Sequence, residues 1–145
     1  MTDLERAIAH LHANDSLKCV LQKGDVCHTS EKRGVAPMLD FLEAKLDLSG
    51  FCAADRVVGK ATAYLFVLAG VTAVYADVMS QGAQSVLQAH GIAFMSNKTV
   101  PYIINRQGNG MCPMEAAVQD IKTPPQAHRA ILETLKKLRE NERKS

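Results

Sequence analysis

The stretch Cys112-Pro113-Met114-Glu115 has the residue types that most directly suggest chemistry in this chain. It reads as N-cap, N1, N2 and N3 of a helix. Proline stands where its missing N–H costs nothing, and glutamate stands where a capping box needs it. A thiol at that N-cap faces the unpaired amides of the first turn, and the helix dipole favours its thiolate. Arg106, six residues earlier across a loop holding Gly108 and Gly110, would add positive charge. The pattern suits a nucleophilic or redox-sensitive thiol, with Asp77 or Glu115 as acid/base and the helix amides stabilising an oxyanion. It also suits an anion site made by the helix end itself, or a cap whose sulfur is merely tolerated.

Further polar residues stand at predicted junctions of strand and helix. Asp55 and Arg56 open one helix, with Lys60 about one turn into it. Asp77 and Ser80 precede the next, and Asn105 and Arg106 follow the last strand. Convergence of these loops would gather two carboxylates, a lysine, two arginines and a thiol around one ligand pocket. The alternative makes Asp55 and Asp77 helix caps and lets Lys60 snorkel from an apolar helix to solvent. Gly108-Asn109-Gly110 is too short for a dinucleotide fingerprint and lacks the Gly-Lys-Ser/Thr of a P-loop. Its amides could still approach an anion.

Metal chemistry has little support. Cys19 and Cys27 lie on the arms of a predicted hairpin turning at Lys23-Gly24, a register that sets Cys19 against His28 and Cys27 against Val20. Side chains alternate along a strand, so the two thiols face opposite sides of the sheet and cannot share a metal or a disulfide. A Cys19/His28 pair would be at most half a metal site. His10 and His12 do not share a helix face, while His90 ends one helix and His128 lies on the outer side of the last. Neither metal nor cofactor is expected.

Periodicity supplies the elements that must hold these residues. Helices are predicted over residues 2–13 (Thr2 as cap), 36–46, 55–68, 79–89, 112–121 and about 125–142. Strands are predicted over 17–22, 25–29 and 71–76, with 92–95 and 100–104 as two pieces of one sheet edge parted by a turn at Ser96-Asn97-Lys98. Residues 48–54 read as a loop. The 55–68 helix is apolar on every side, which places it at the centre of the domain or at a subunit contact. A hairpin followed by strand–helix alternation makes one three-layer α/β/α domain over residues 1–145, with a mixed central sheet. Ligand sites in such sheets lie beyond the carboxyl ends of the strands.

Composition narrows the partners. Hydrophobic residues are 47% and charged residues 22% of the 145, which is globular, and a net charge of +2 is too small to predict nucleic acid. The N-terminus lacks the order of a secretory signal. The uncharged stretch 61–76, at 16 residues, falls short of the roughly 20 a spanning helix needs. A cytoplasmic protein with reduced thiols and no membrane partner is the expectation.

Three segments carry a resemblance: ADRVVGKA (54–61), VYADVMS (74–80) and NRQGNGMCPMEAAV (105–118). In combination they resemble a small, mostly uncharacterised prokaryotic domain-of-unknown-function family with a cytidine-deaminase-like fold, over roughly residues 16–120. The resemblance implies an initial helix, a hairpin, and then alternating helices and strands, with homo-oligomers common in the related fold. Deaminases of that fold carry His-Ala-Glu or Cys-Ala-Glu where this chain has Gly59, Lys60 and Ala61. They carry Pro-Cys-x-x-Cys where it has residues 77–83 without a cysteine. Zinc-hydroxide deamination is therefore not expected, since the ligands and the proton-shuttling Glu are missing. Three functions stay open. One is a protein binding a small anionic or nucleotide-like ligand through helix N-termini, Arg56, Lys60 and Arg106. The second is a metal-independent enzyme built on Cys112, and the third an interaction or structural subunit.

Overall fold

The computed structural model describes residues 1–144; Ser145, the end of the charged tail, lies outside them. The strands are β1 (Cys19–Lys23), β2 (Val26–Ser30), β3 (Cys52–Val58), β4 (Ala73–Ser80) and β5 (Ala93–Val100). They form one open sheet in the order β2-β1-β3-β4-β5. β1 is antiparallel to both β2 and β3, whereas β3, β4 and β5 are parallel. The connections carry α1 (Asp3–Ala13), α2 (Ala36–Glu43), α3 (Lys60–Ala69), α4 (Gln81–Ala89), α5 (Pro113–Ala117) and α6 (Pro124–Lys144). This is the α/β class with a mixed, helix-flanked sheet that the pattern predicts.

Strand alternation creates two cores. Val20, Ala54 and Tyr75 point to one side, where they meet Ala7 and Leu11 of α1. Leu21, Ala53 and Val74 point to the other, against Ala63 and Phe66 of α3, Leu87 of α4 and Ile131 of α6. α1 begins with a capping box: Thr2 Oγ1 accepts the Glu5 amide and Glu5 Oε1 accepts the Thr2 amide, both at 3.1 Å. Ala61 through Phe66 are all buried, so α3 is the central helix, with α4 and α6 packed against it. α3 stops at Gly70, whose φ of 84° is left-handed and where a side chain would also crowd Ser49 backbone at 3.2 Å.

Several predicted boundaries are corrected. Residues 52–58 form β3, and α3 starts only at Lys60 after its N-cap Gly59. Asp55 and Arg56 are therefore strand residues, Asp55 caps no helix, and Lys60 is the first helical residue. The run Ala53-Ala54-Asp55-Arg56 has no intrinsic strand preference; pairing with β1 and β4 on either side makes it one. β4 continues to Ser80, so Asp77 too lies within a strand and caps nothing. Ser80 is the cap of α4, its Oγ accepting the Ala83 amide at 3.1 Å. β5 passes straight through the expected turn, because Ala76↔Ser96 and Val78↔Lys98 pairing overrides turn-prone side chains. After Pro101 the chain keeps only the Ile104–Met111 bridge. α2 and α5 end earlier than expected, at Glu43 and Ala117.

The hairpin turns one residue later than predicted, with Lys23 opposite Val26. Gly24 takes the positive φ of 55° as the first turn residue, not the second. Cys19 therefore faces Ser30, Cys27 faces Gln22, and His28 faces Leu21. The side-to-side parity survives the shift, so Cys19 and Cys27 still point to opposite faces. No helix among the described residues is long and apolar enough to cross a membrane.

Candidate functional site

The carboxyl ends of β3, β4 and β5 meet the starts of α3 and α4 along one rim. Gly59 has no side chain to cap α3, and Glu115 of α5 does it from a distance: its Oε2 accepts the Lys60 amide at 3.0 Å. The carboxylate is 8% exposed. Burial pushes its pKa up, opposed by the Lys60 and Ala61 amides and by the Lys60 charge. A Cβ on residue 59 would overlap this carboxylate and come within 2.9 Å of Ile103. Glycine alone leaves the space that the cap occupies.

Lys60 Nζ donates to the Gln119 carbonyl at 2.7 Å, and Tyr64 OH donates to the Ile121 carbonyl at 2.6 Å. These bonds tie α3 to the link between α5 and α6. Lys60, Ser80, Tyr102, Met111, Glu115 and Gln119 surround a polar niche of about 230 Å³. Pro101 and Tyr102 also border a larger groove of about 400 Å³, whose other walls are Val57, Val78, Val100, Ile103 and Ile104. Val57, Tyr102 and Ile104 are 38%, 44% and 58% exposed there.

Asp77 and Arg56 lie on the opposite face of the sheet, toward α1. Tyr75 OH donates to Asp77 Oδ1 at 2.7 Å, His12 Nε2 approaches the same oxygen at 2.8 Å, and Arg56 Nη1 donates to Oδ2 at 3.2 Å. Arg56 also donates to the carbonyls of Leu17 (3.0 Å), Leu11 (2.8 Å) and Asn14 (3.2 Å). It thereby satisfies the carboxyl end of α1. Burial raises the Asp77 pKa, but the Tyr75, His12 and Arg56 hydrogen bonds outweigh it and hold the carboxyl below its usual range. Burial, with Asp77 beside it, pushes the Tyr75 hydroxyl up to about 12. Neither His12 nor Tyr75 is legible as a neighbour of Asp77 in the sequence, because their partnership exists only across the fold.

The sequence-predicted residues are thus distributed among separate places. Lys60, Ser80 and Glu115 share the rim niche. Cys112 is the N-cap of α5 as expected and is partly buried, but its sulfur caps nothing; its amide donates to the Ile103 carbonyl at 2.9 Å. Asn105 closes its own loop, bonding Asn109 through both amide atoms of its side chain, and Arg106 is exposed on that loop. Asp55 is buried opposite Cys19. Burial pushes its carboxyl up to about 7, against the Val57 and Arg56 amides and the Cys19 thiol. Burial, with Asp55 adding, pushes Cys19 well up in turn. Among the described residues no three His, Cys, Asp or Glu side chains cluster to hold a metal ion.

A family model described as TM1506, a domain of unknown function (DUF1893), matches residues 6–135. The chain belongs to the DUF1893 family. It is similar to the crystal structure of a DUF1893 family protein (TM1506) from Thermotoga maritima, with a TM-score of 0.81 and 23% identity over 92% of this chain and 90% of that one. At that identity the likeness establishes the DUF1893 fold. No curated protein matches. Family membership brings no activity with it, and function has to be argued from the rim itself.

Proposed function

We propose that this DUF1893 protein binds a small organic anion with an apolar, nucleotide-like body, on a cytidine-deaminase-like scaffold that works without zinc. The order of helix, hairpin, helix and alternating strands and helices supports the scaffold reading. A zinc ion does not fit the residues present: Gly59, Lys60 and Ala61 at the start of α3, and Ser80 to Ala83 at the start of α4, include no zinc ligand of the deaminase type.

One observation carries the binding reading. A groove with almost wholly apolar walls opens beyond the carboxyl ends of three parallel strands, where open α/β sheets place their ligands, and it adjoins a niche holding Lys60 and Ser80. Exposed Val57, Tyr102 and Ile104 suit the face of a flat ring. Lys60 Nζ, held by a single protein carbonyl, retains donors for an anionic substituent. The α3 amides do not serve that anion, since Glu115 already occupies them. An enzyme built on Cys112 would have to act with Glu115 engaged and Asp77 across the sheet, which favours binding over catalysis.

Nucleoside monophosphates and the matching neutral nucleosides are the probes, read by calorimetry and thermal shift. Saturable binding is expected for at least one pair. Val78→Asp should abolish both members, whereas Lys60→Gln should weaken the monophosphate about tenfold and leave the nucleoside unchanged. Failure of every pair to bind, or wild-type affinity in Val78→Asp, would refute the proposal.

A further inference from the structure

Asp55 stands near the carboxyl end of β3, opposite Cys19 of β1, and is 3% exposed. Its Oδ1 accepts the Val57 amide at 3.4 Å. Its Oδ2 is, among the described residues, the sole buried side-chain oxygen or nitrogen without a hydrogen-bond partner. A bare buried carboxylate oxygen is costly, and native chains ordinarily give it a partner. Asp55 also contributes to the wall of a cavity of about 310 Å³, bounded by Lys18, Arg33, Gly34, Arg56 and Val57. That space far exceeds the roughly 30 Å³ share of one water molecule.

The cations around this cavity differ in their commitments. Lys18 Nζ donates to the Asp15 carbonyl at 3.2 Å, Arg56 is bound to Asp77 and three carbonyls, and neighbouring Lys32 pairs with Asp40 at 2.7 Å. The Arg33 side chain is exposed and makes no hydrogen bond or ion pair among the described residues. Next to it Gly34 leaves open space where a side chain would stand. The cavity thus has the Asp55 carboxyl in its wall, with Oδ2 shielded by the surrounding packing, and the uncommitted Arg33 guanidinium beside it. A simple anion is repelled by the first and a simple cation by the second; a molecule with a donor at one end and an anion at the other matches both.

We propose that this cavity is a second ligand site, for a small amino carboxylate whose ammonium pairs with the Asp55 carboxyl in its wall and whose carboxylate pairs with Arg33, with Lys18 alongside. Cys19, fully buried beside Asp55, does not act as a nucleophile there. The site shares only Val57 with the rim groove, so it stands or falls separately from the nucleotide-like ligand.

Glycine, β-alanine and γ-aminobutyrate, which separate the two charges by increasing lengths, are titrated into the full chain and followed by calorimetry and backbone-amide NMR. One length is expected to bind saturably at millimolar concentration and to shift the amides of Gly34, Arg56 and Val57. Asp55→Asn, which keeps the side-chain shape, and Arg33→Ala, at an exposed position, should each weaken it about tenfold or more. The matching acids without the amine should bind weakly to wild type, and no more weakly to Asp55→Asn, which lifts the repulsion. Absence of binding by all three lengths, or affinity that survives either substitution, overturns the proposal.

Discussion

Replacing Asp55 by asparagine should stabilise the protein increasingly as pH rises. Burial lifts this carboxyl from 3.8 to about 7 in the folded chain, so the folded state holds the proton more tightly than the unfolded state between those values. Stability is therefore unaffected below the unfolded value and falls as pH climbs through the folded one. At about 1.4 kcal/mol per unit, the full cost is about 4 kcal/mol, and about 2.5 kcal/mol of it accrues between about pH 5 and about pH 8.5. Asparagine does not titrate, and the other groups cancel when the two proteins are compared. At low pH, where Asp55 is a neutral acid in both states, the variant should be near wild type. Urea unfolding at matched ionic strength across that range measures the difference. A gap that stays constant with pH, or that closes as pH rises, would refute the reasoning.

Gly59→Ala should destabilise by about 3 kcal/mol through its clash with the Glu115 carboxylate; in denaturant melts, the added loss should be clearly smaller in a Glu115→Ala background. Asp77→Ala should cost about 2 kcal/mol by stranding Arg56 and Tyr75, and a double-mutant cycle with Arg56→Ala should show coupling of at least about 1 kcal/mol. Because the folded Asp77 pKa is lowered, its contribution is present above the unfolded carboxyl value and disappears as pH falls through the folded one. Amide protection factors in α1, corrected for the intrinsic pH dependence of exchange, should then fall on acidification before those of the sheet. In native alkylation followed by mass spectrometry, the partly buried Cys112 should react well before Cys19, which is fully buried.

Legibility in the sequence followed the strength of local signals. Thr2 and the apolar spacing after it announced α1, Pro113 and Glu115 announced α5, and the Leu, Ala and Val crowding all sides of the predicted 55–68 helix announced the central one. Residues 52–58 were misread because alanines and an Asp-Arg pair carry no strand signal of their own; neighbouring strands on both sides impose the conformation. That single error moved Asp55 and Arg56 from a helix start into the sheet, where alternation sends their side chains to opposite faces and divides the expected pocket. Lys60 and Ser80 were legible as rim residues from the loops expected to converge there, but their meeting with Glu115 was not, because Lys60 opens α3 only once residues 52–58 are a strand. The His12–Tyr75–Asp77–Arg56 cluster was not legible either, since it depends on which face of α1 meets which register of β4. Nor was the bare Asp55 oxygen, which is a property of the packing around it.

The contact between Gly59 and the Glu115 carboxylate has an evolutionary corollary. Neither position can vary alone, because any side chain at 59 evicts the carboxylate, and a shorter residue at 115 strands the opening amides of α3. Among homologues the two columns should change as a pair, with a bulkier residue at 59 tolerated only where 115 has shrunk and where Ser, Thr, Asp or Asn at 59 itself has taken over the start of the helix.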